Sequence, residues 1–373
     1  MKKVLTYFPT ILFAGFLLVF SLCDLLAPPK EFSEMENRLL AQTPTPTVRS
    51  LLNNGYTNGI EKAVDDQFLW RNQWITLKSI SETALGKQEN NGVVYGADGY
   101  LFEKLTALDP ARLSRSMQQI QLFASAHPSQ RMVLTIVPNA YAMMPQHLPK
   151  GLELVDQNAW VEEIYAQAAQ WGMQVWDVRP VFAAHQSESA LYYRTDHHWT
   201  TRAAYLSYAG FVRSQGLDAI AWEALELHER DDFLGTLYSK SKLYSATPDP
   251  LVWYDVQGVD IEVNGEAQES VYDFAQFDTR DKYAAFLHSN NALTVLRNKS
   301  APTPASRILL IKDSYGNCYA PLLAFSYDEV YIVDLRYFRD MEQLLATVEF
   351  DVIHLLYNFT TFVQDSSFHL LNA

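Results

Sequence analysis

Hydrophobic positions along this chain follow two rhythms. Short, nearly continuous apolar runs fall within 132–137, 308–311, 329–334 and 352–357. Runs of that length, bounded by polar or turn residues, fit strands buried on both faces of a parallel sheet. Between and before them, apolar residues recur every three to four positions in 111–126, 158–171, 200–214 and 339–347. That is the spacing of amphipathic helices. A shorter strand is predicted at 174–178, and 93–102, with Gly96 and Gly99 at its centre, fits a hairpin. The alternation predicts an α/β domain over 92–373, a parallel sheet flanked by helices. Residues 219–298 break the rhythm and read as a long insertion with β character at 252–263. Ahead of the domain, the polar, proline-bearing stretch 28–47 reads as an extended stalk. Residues 59–85 have helical spacing, so 29–91 together form a stalk and helical lead-in.

The first 28 residues follow a third pattern. Lys2 and Lys3 precede about twenty mostly apolar residues, Val4 to Ala27. This length can cross a bilayer. The two lysines are expected to stay cytoplasmic, which puts everything after Pro28 outside the cytoplasm. No small-x-small cleavage site stands near Ser21–Ala27, and Leu22 before Cys23 does not suit a lipoprotein signal. A retained single-pass membrane anchor over 1–28 is therefore expected, with a cleaved signal peptide as the alternative. The 373 residues are 48% hydrophobic and 13% aromatic, enough for a sizeable core. A formal charge of −14 argues against nucleic acid as a partner. The two cysteines, Cys23 and Cys318, lie too differently placed to pair, and no cysteine cluster suggests zinc.

Two stretches carry candidate chemistry. In Arg307–Ala320 a buried strand runs into Lys312-Asp313-Ser314, and a helix is predicted over 318–325. A hydroxyl at that junction lies at the carboxyl edge of the sheet, where helix N–H groups face a ligand. Ser314 is then either a nucleophile beside an oxyanion site or a helix cap. The second stretch is Tyr192-Tyr193-Arg194-Thr195-Asp196-His197-His198-Trp199-Thr200. In an extended segment Asp196 and His198 share a side, and His197 faces elsewhere. A carboxylate that orients an imidazole is what an acyl-transfer serine requires. Capping, ordinary surface polarity and metal binding compete with that reading. The spacing alone does not complete a coordination shell, so no metal and no cofactor is expected.

The pair Asp196-His197-His198-Trp199 and Lys312-Asp313-Ser314-Tyr315-Gly316-Asn317-Cys318 resembles the DHHW proteins of bacterial envelopes. These carry an SGNH-hydrolase-like domain and are similar to the acetyltransferases of alginate and related exopolysaccharides. The resemblance extends from Glu36-Asn37-Arg38 to Tyr357-Asn358, through Val137-Pro138-Asn139, Asp281-Lys282-Tyr283 and Asp334-Leu335-Arg336-Tyr337. It implies Ser314 as nucleophile, His198 as base and Asp196 as orienting acid. For the oxyanion it implies Asn290, in His288-Ser289-Asn290 where the family usually has Gly-Gly-Asn, and Gly235, in Phe233-Leu234-Gly235-Thr236. Arg194, Tyr315 and Trp199 are candidate sugar contacts, as are the neighbouring Tyr192, Tyr193 and Tyr319, although packing alone would also cluster such rings. The implied activity is transfer or hydrolysis of an acetyl group on a cell-surface polysaccharide. A membrane-bound acyltransferase would supply the acyl group. The alternative is a non-catalytic glycan-binding or scaffolding protein of the same fold.

Overall fold

A computed structural model describes residues 2–187, 190–302 and 304–373, without the side chains of Lys2, Lys3 and the next three residues. The chain divides into two compact units, 1–87 with 242–244, and 88–241 with 245–373.

The smaller unit starts with helix α1 (Lys2–Leu26), in which Tyr7–Leu26 is long and apolar enough to cross a membrane. The expected extended stalk is instead folded. Phe32–Ser33 pairs with Arg38–Leu39, and Arg38 forks onto Asp66 at 2.8 and 2.6 Å. Asp66 also accepts the Ala41 N–H at 2.8 Å. Glu36 collects Arg71, at 2.6 Å, and Lys242. The helical stretch expected at 59–85 is two helices, α2 (Gly55–Gln67) and α3 (Arg71–Ala84). Phe68, with ψ 134°, ends the first, and Trp70, at φ 57°, opens the second in a new direction.

The larger unit is built on an eight-stranded sheet. Its strands in chain order are β1 (Met132–Val137), β2 (Gln174–Val175), β3 (Val259–Val263), β4 (Glu266–Gln268), β5 (Leu293–Asn298), β6 (Arg307–Lys312), β7 (Glu329–Val333) and β8 (Val352–Asn358). The spatial order is β4-β3-β5-β7-β6-β8-β1-β2. From β7 to β2 all pairings are parallel, as the apolar runs implied. β3, β4 and β5 extend the sheet antiparallel, so it is mixed rather than wholly parallel. The strands β3, β4 and β5 within 219–298 are therefore not an insertion but the sheet's other flank. Asn264 and Gly265, both at positive φ (51° and 86°), make the two-residue turn between β3 and β4. The β character expected across 252–263 is split, because Asp249–Tyr254 pairs with Leu227–Phe233 in a separate ribbon.

Ile308 to Ile311 are wholly buried at the sheet's centre. Helices α4 (Pro110–Ala126), α5 (Gln157–Gln170), α6 (Thr201–Ser214), α7 (Thr236–Ser241) and α8 (Gly316–Leu323) follow. α6 and α8 pack together, and α4 lies against Phe359–Gln364. α6 begins where the Thr200 hydroxyl caps the Ala203 N–H at 3.3 Å, so the Asp-His-His segment leads directly into a core helix.

One core residue makes a pH prediction. His354, in the middle of β8, is wholly buried, bonded to Thr135 Oγ1 at 2.9 Å and stacked on Phe211. Burial pushes its imidazole down to about 3. Above the unfolded histidine range, near 6.5, both states are neutral. Below it the unfolded chain takes a proton that the folded chain refuses, so stability falls with pH between those limits. Denaturant midpoints should drop steadily from pH 6.5 to 4, and His354→Leu should flatten that slope. An unchanged slope would refute this assignment.

Candidate functional site

Ser314 stands just beyond the carboxyl end of β6, before α8 begins. Asp313 fixes the turn. One carboxylate oxygen accepts the Tyr315 N–H and the other accepts the Asn358 N–H, both at 2.9 Å. Asn358 in turn donates to the Val137 carbonyl at 3.1 Å, which laces together the ends of β6, β8 and β1. Burial pushes the Asp313 carboxyl up, against those N–H donors. Gly316 is required by a close approach: a Cβ there would sit 2.6 Å from that of Lys312.

The Ser314 Oγ lies 2.8 Å from His198 Nε2, and His198 Nδ1 lies 2.5 Å from Asp196 Oδ1. A carboxylate only accepts, so Nδ1 carries the proton and Nε2 presents its lone pair to the serine hydroxyl. Asp196 is buried and well supplied with donors. Oδ1 also takes the His198 N–H at 2.9 Å, and Oδ2 takes the Thr236 N–H at 2.6 Å and hydroxyl at 3.0 Å. Burial acts to raise this carboxyl, but the imidazoles of His198 and His197 and these hydrogen bonds outweigh it and hold it far below the usual range. The His197 ring lies 3.9 Å from that of His198 and turns its Nδ1 to Thr236. Because the Thr236 hydroxyl is already donating to Asp196, it must accept from His197 Nδ1, 2.6 Å away. Burial and the neighbouring His198 push the His197 imidazole down to about 4. Asp196, His197 and His198 bring ligand-type atoms within 4.8 Å of one another. Each of those nitrogens already has a short partner, and an ion would compete with it.

Gly235 is not placed to serve an oxyanion. Its N–H donates to Thr195 Oγ1 at 3.1 Å, and a Cβ on it would meet the Asp196 Cβ at 2.2 Å. It is the floor beneath the carboxylate. Asn290 stands differently. Its Oδ1 accepts from Lys312 Nζ at 3.4 Å and Asn317 Nδ2 at 3.3 Å, and Lys312 also donates to Asn317 Oδ1 at 2.6 Å. With the oxygen so engaged, the amide NH2 is turned away from Lys312. Burial pushes the Lys312 ammonium down to about 8, against the pull of Asp334 at 3.8 Å.

The three residues before Asn290 adopt glycine-like backbone without being glycine: Leu287, His288 and Ser289 have φ of 52°, 56° and 73°. The segment is held by Ser289 N–H to the Phe286 carbonyl (3.1 Å), by His288 Nε2 to the Ser270 carbonyl (2.9 Å) and by Asn291 Nδ2 to two carbonyls. Left-handed backbone costs an L-residue roughly 1–2 kcal/mol. Ser289→Gly should therefore raise stability by about 1 kcal/mol in denaturant melts, less glycine's own entropy cost. A loss of stability would show that the serine side chain is needed.

Trp199 and Tyr315 are not available to a sugar. They are 0% and 1% exposed, with the Trp199 indole donating to the Tyr315 carbonyl at 3.0 Å and the Tyr315 hydroxyl donating to the His197 carbonyl. Tyr192, Tyr193 and Tyr319 are equally buried. These rings are the mould behind the site. Arg194 is only partly buried, with its guanidinium 5.8 Å from the Tyr100 ring, and it lines a cavity of about 400 Å³ with His147 and Asp98. Three residues escaped the motif reading as site members. Thr236 clamps Asp196. Tyr283 stacks flat on His198 at 3.8 Å and 11° and donates to the Ser314 carbonyl at 3.3 Å. Asp249 accepts the N–H groups of Arg194 and Thr195 at 2.9 and 2.8 Å. Tyr283 was visible only as part of the family likeness, and nothing local marks Asp249.

Residues 170–333 match the DHHW protein family, and residues 93–228 match the SGNH hydrolase-like domain of the acetyltransferase AlgX. A probable alginate O-acetylase, AlgJ of Pseudomonas syringae pv. tomato, is 25% identical over 173 residues, 45% of this chain. The chain spans 44% of that relative's length. A DHHW family protein from Eubacterium siraeum superposes with a TM-score of 0.65 at 20% identity, covering 76% of this chain and 96% of that one. Bacillus cereus PatB1 superposes at 0.59 and 18% identity, covering 72% and 96%. Motif, fold and the match over residues 170–333 agree: this chain resembles the DHHW proteins, and its larger unit has an SGNH-hydrolase-like fold.

Proposed function

We propose that this protein transfers an acyl group, acetyl in the simplest case, to a hydroxyl of a cell-surface polysaccharide at the outer face of a membrane. The observation that carries this is the aligned chain from Asp196 through His198 to Ser314 at the sheet's carboxyl edge. The likeness to a probable alginate O-acetylase supports polysaccharide as the acceptor class. The apolar length of α1 supports membrane attachment.

Ser314 Oγ attacks the acyl carbonyl carbon as His198 Nε2 takes its proton. The oxygen that gains charge is met by the Ser314 N–H and the Asn290 amide. When the tetrahedral species collapses, the donor alcohol leaves with the proton from His198 and an acyl-serine remains. A sugar hydroxyl then gives its proton to His198 and attacks the same carbon; the bond from that carbon to Ser314 Oγ breaks, His198 returns the proton to Oγ, and the new ester leaves. Asp196 keeps the imidazole in the reacting tautomer and stabilises the imidazolium at each half-reaction. The acyl group itself would come from a membrane-bound acyltransferase.

The test is capture of the intermediate. Brief exposure to 4-nitrophenyl acetate, quenched in acid, should add one acetyl group to the intact protein, on the peptide that contains Ser314. Acetyl found only elsewhere, or not at all, would leave a scaffolding role as the better reading.

A further inference from the structure

We propose that α3 of the smaller unit is a membrane-interface helix, bedded among the acyl chains just beneath the phospholipid headgroups of the outer leaflet and continuous with the last turns of α1. The inference rests on α1 crossing the membrane, and the experiment below separates the two.

The starting point is Asp24, the one charged residue within Tyr7–Leu26. A carboxylate in such a segment is costly unless it is paired. Asp24 Oδ1 accepts the Leu69 N–H at 2.6 Å, at the break between α2 and α3. One turn earlier, Phe20 packs on Phe68, Trp70 and Trp74 with ring centroids 5.2, 6.1 and 6.5 Å away. The end of α1 is thus part of the folded unit rather than a detachable leader, and it fixes where α3 begins.

The face that α3 leaves open continues from this contact. Trp70, Trp74 and Leu77 recur at helical spacing and are 60%, 44% and 51% exposed. Residues at such offsets lie on one side of a helix. Polar contacts lie elsewhere: Arg71 is engaged by Glu36 and Ser79 is buried. An exposed stripe led by two tryptophans is the chemistry of the bilayer's interfacial belt, where the ring is apolar and the indole N–H finds water or headgroup. Depth agrees as well. Phe20 lies six residues before Leu26, the end of α1, which is about 9 Å of helix. Interfacial helices bury their apolar face about 5–10 Å deep. Lys78, beside the stripe, is 62% exposed along its side chain and holds its ammonium 3.8 Å from Glu82, a polar flank that suits the headgroup level.

The full-length chain would be placed in nanodiscs of phosphatidylcholine brominated either near the carbonyl end or near the tip of the acyl chain. Bromine near the carbonyl end should quench tryptophan emission more strongly than bromine at the tip. Trp70→Phe/Trp74→Phe should lower the quenchable emission at least about two-fold, with an unchanged far-ultraviolet spectrum to show that the fold persists. Wild-type emission insensitive to bromine, or quenching unaffected by the double substitution, would overturn the proposal and leave that face to a protein partner. Intact mass of the nanodisc-bound chain reports on the anchor separately: loss of α1 overturns the anchor, whereas an intact, unquenched chain overturns only the interfacial seat.

Discussion

Ser314→Ala is expected to lower turnover of an acetyl ester by about 10³- to 10⁶-fold, the range seen when a triad nucleophile is removed. The loss should fall on kcat, because the hydroxyl takes part in bond making rather than in holding substrate. Melting temperature should change little, since Ser314 is partly exposed and its hydroxyl has one partner, His198. His198→Ala should cost a similar factor, and the double variant should lose scarcely more than either single one, because the two act as a unit. Turnover by Ser314→Ala equal to that of the unaltered protein would remove this serine from the chemistry.

Gly235→Ala is expected to be nearly as damaging, although it changes no reacting atom. The added methyl would stand 2.2 Å from the Asp196 Cβ and 2.3 Å from Oδ2. Neither neighbour has slack, because Oδ2 is already held by Thr236 at 2.6 Å. Gly235 does not use positive φ, so the effect is steric and not conformational. Displacing the carboxylate frees the imidazole to take the wrong tautomer, and loss of about 10²- to 10⁴-fold in kcat follows. A His198 Nδ1 proton signal that is sharp in the unaltered protein should broaden or move. Undiminished kcat in Gly235→Ala would mean that the carboxylate tolerates displacement.

The parallel half of the sheet could be read directly because strands buried on both faces have only one way to look: Ile308–Ile311 has no polar position to conceal. The antiparallel half was misread as an insertion. Its strands alternate, as in Asp260, Ile261, Glu262, Val263, and only tertiary pairing says that they join the main sheet. The Asn264-Gly265 turn was a local signal that was there to be used. In the site, the expectation that Asp196 and His198 share a side of an extended segment did not hold as such: the backbone bends through 194–198, and the two meet because the Asp196 carboxylate turns back to accept the N–H and the ring Nδ1–H of His198. The oxyanion side did not yield to the same reasoning. Whether a glycine N–H is free depends on what lies opposite, and Thr195 is 40 residues from Gly235. Aromatic residues beside the motifs suggested sugar contact, whereas Trp199 and Tyr315 spend their polar atoms on backbone carbonyls. Sequence shows where rings are, not which side of the wall they occupy.

His198 and Ser314 stand 116 residues apart in the polypeptide, yet share one hydrogen bond. A chain that emerges amino end first therefore carries its imidazole long before its hydroxyl. Until β6 has taken its place between β7 and β8, the Ser314 hydroxyl has no imidazole beside it.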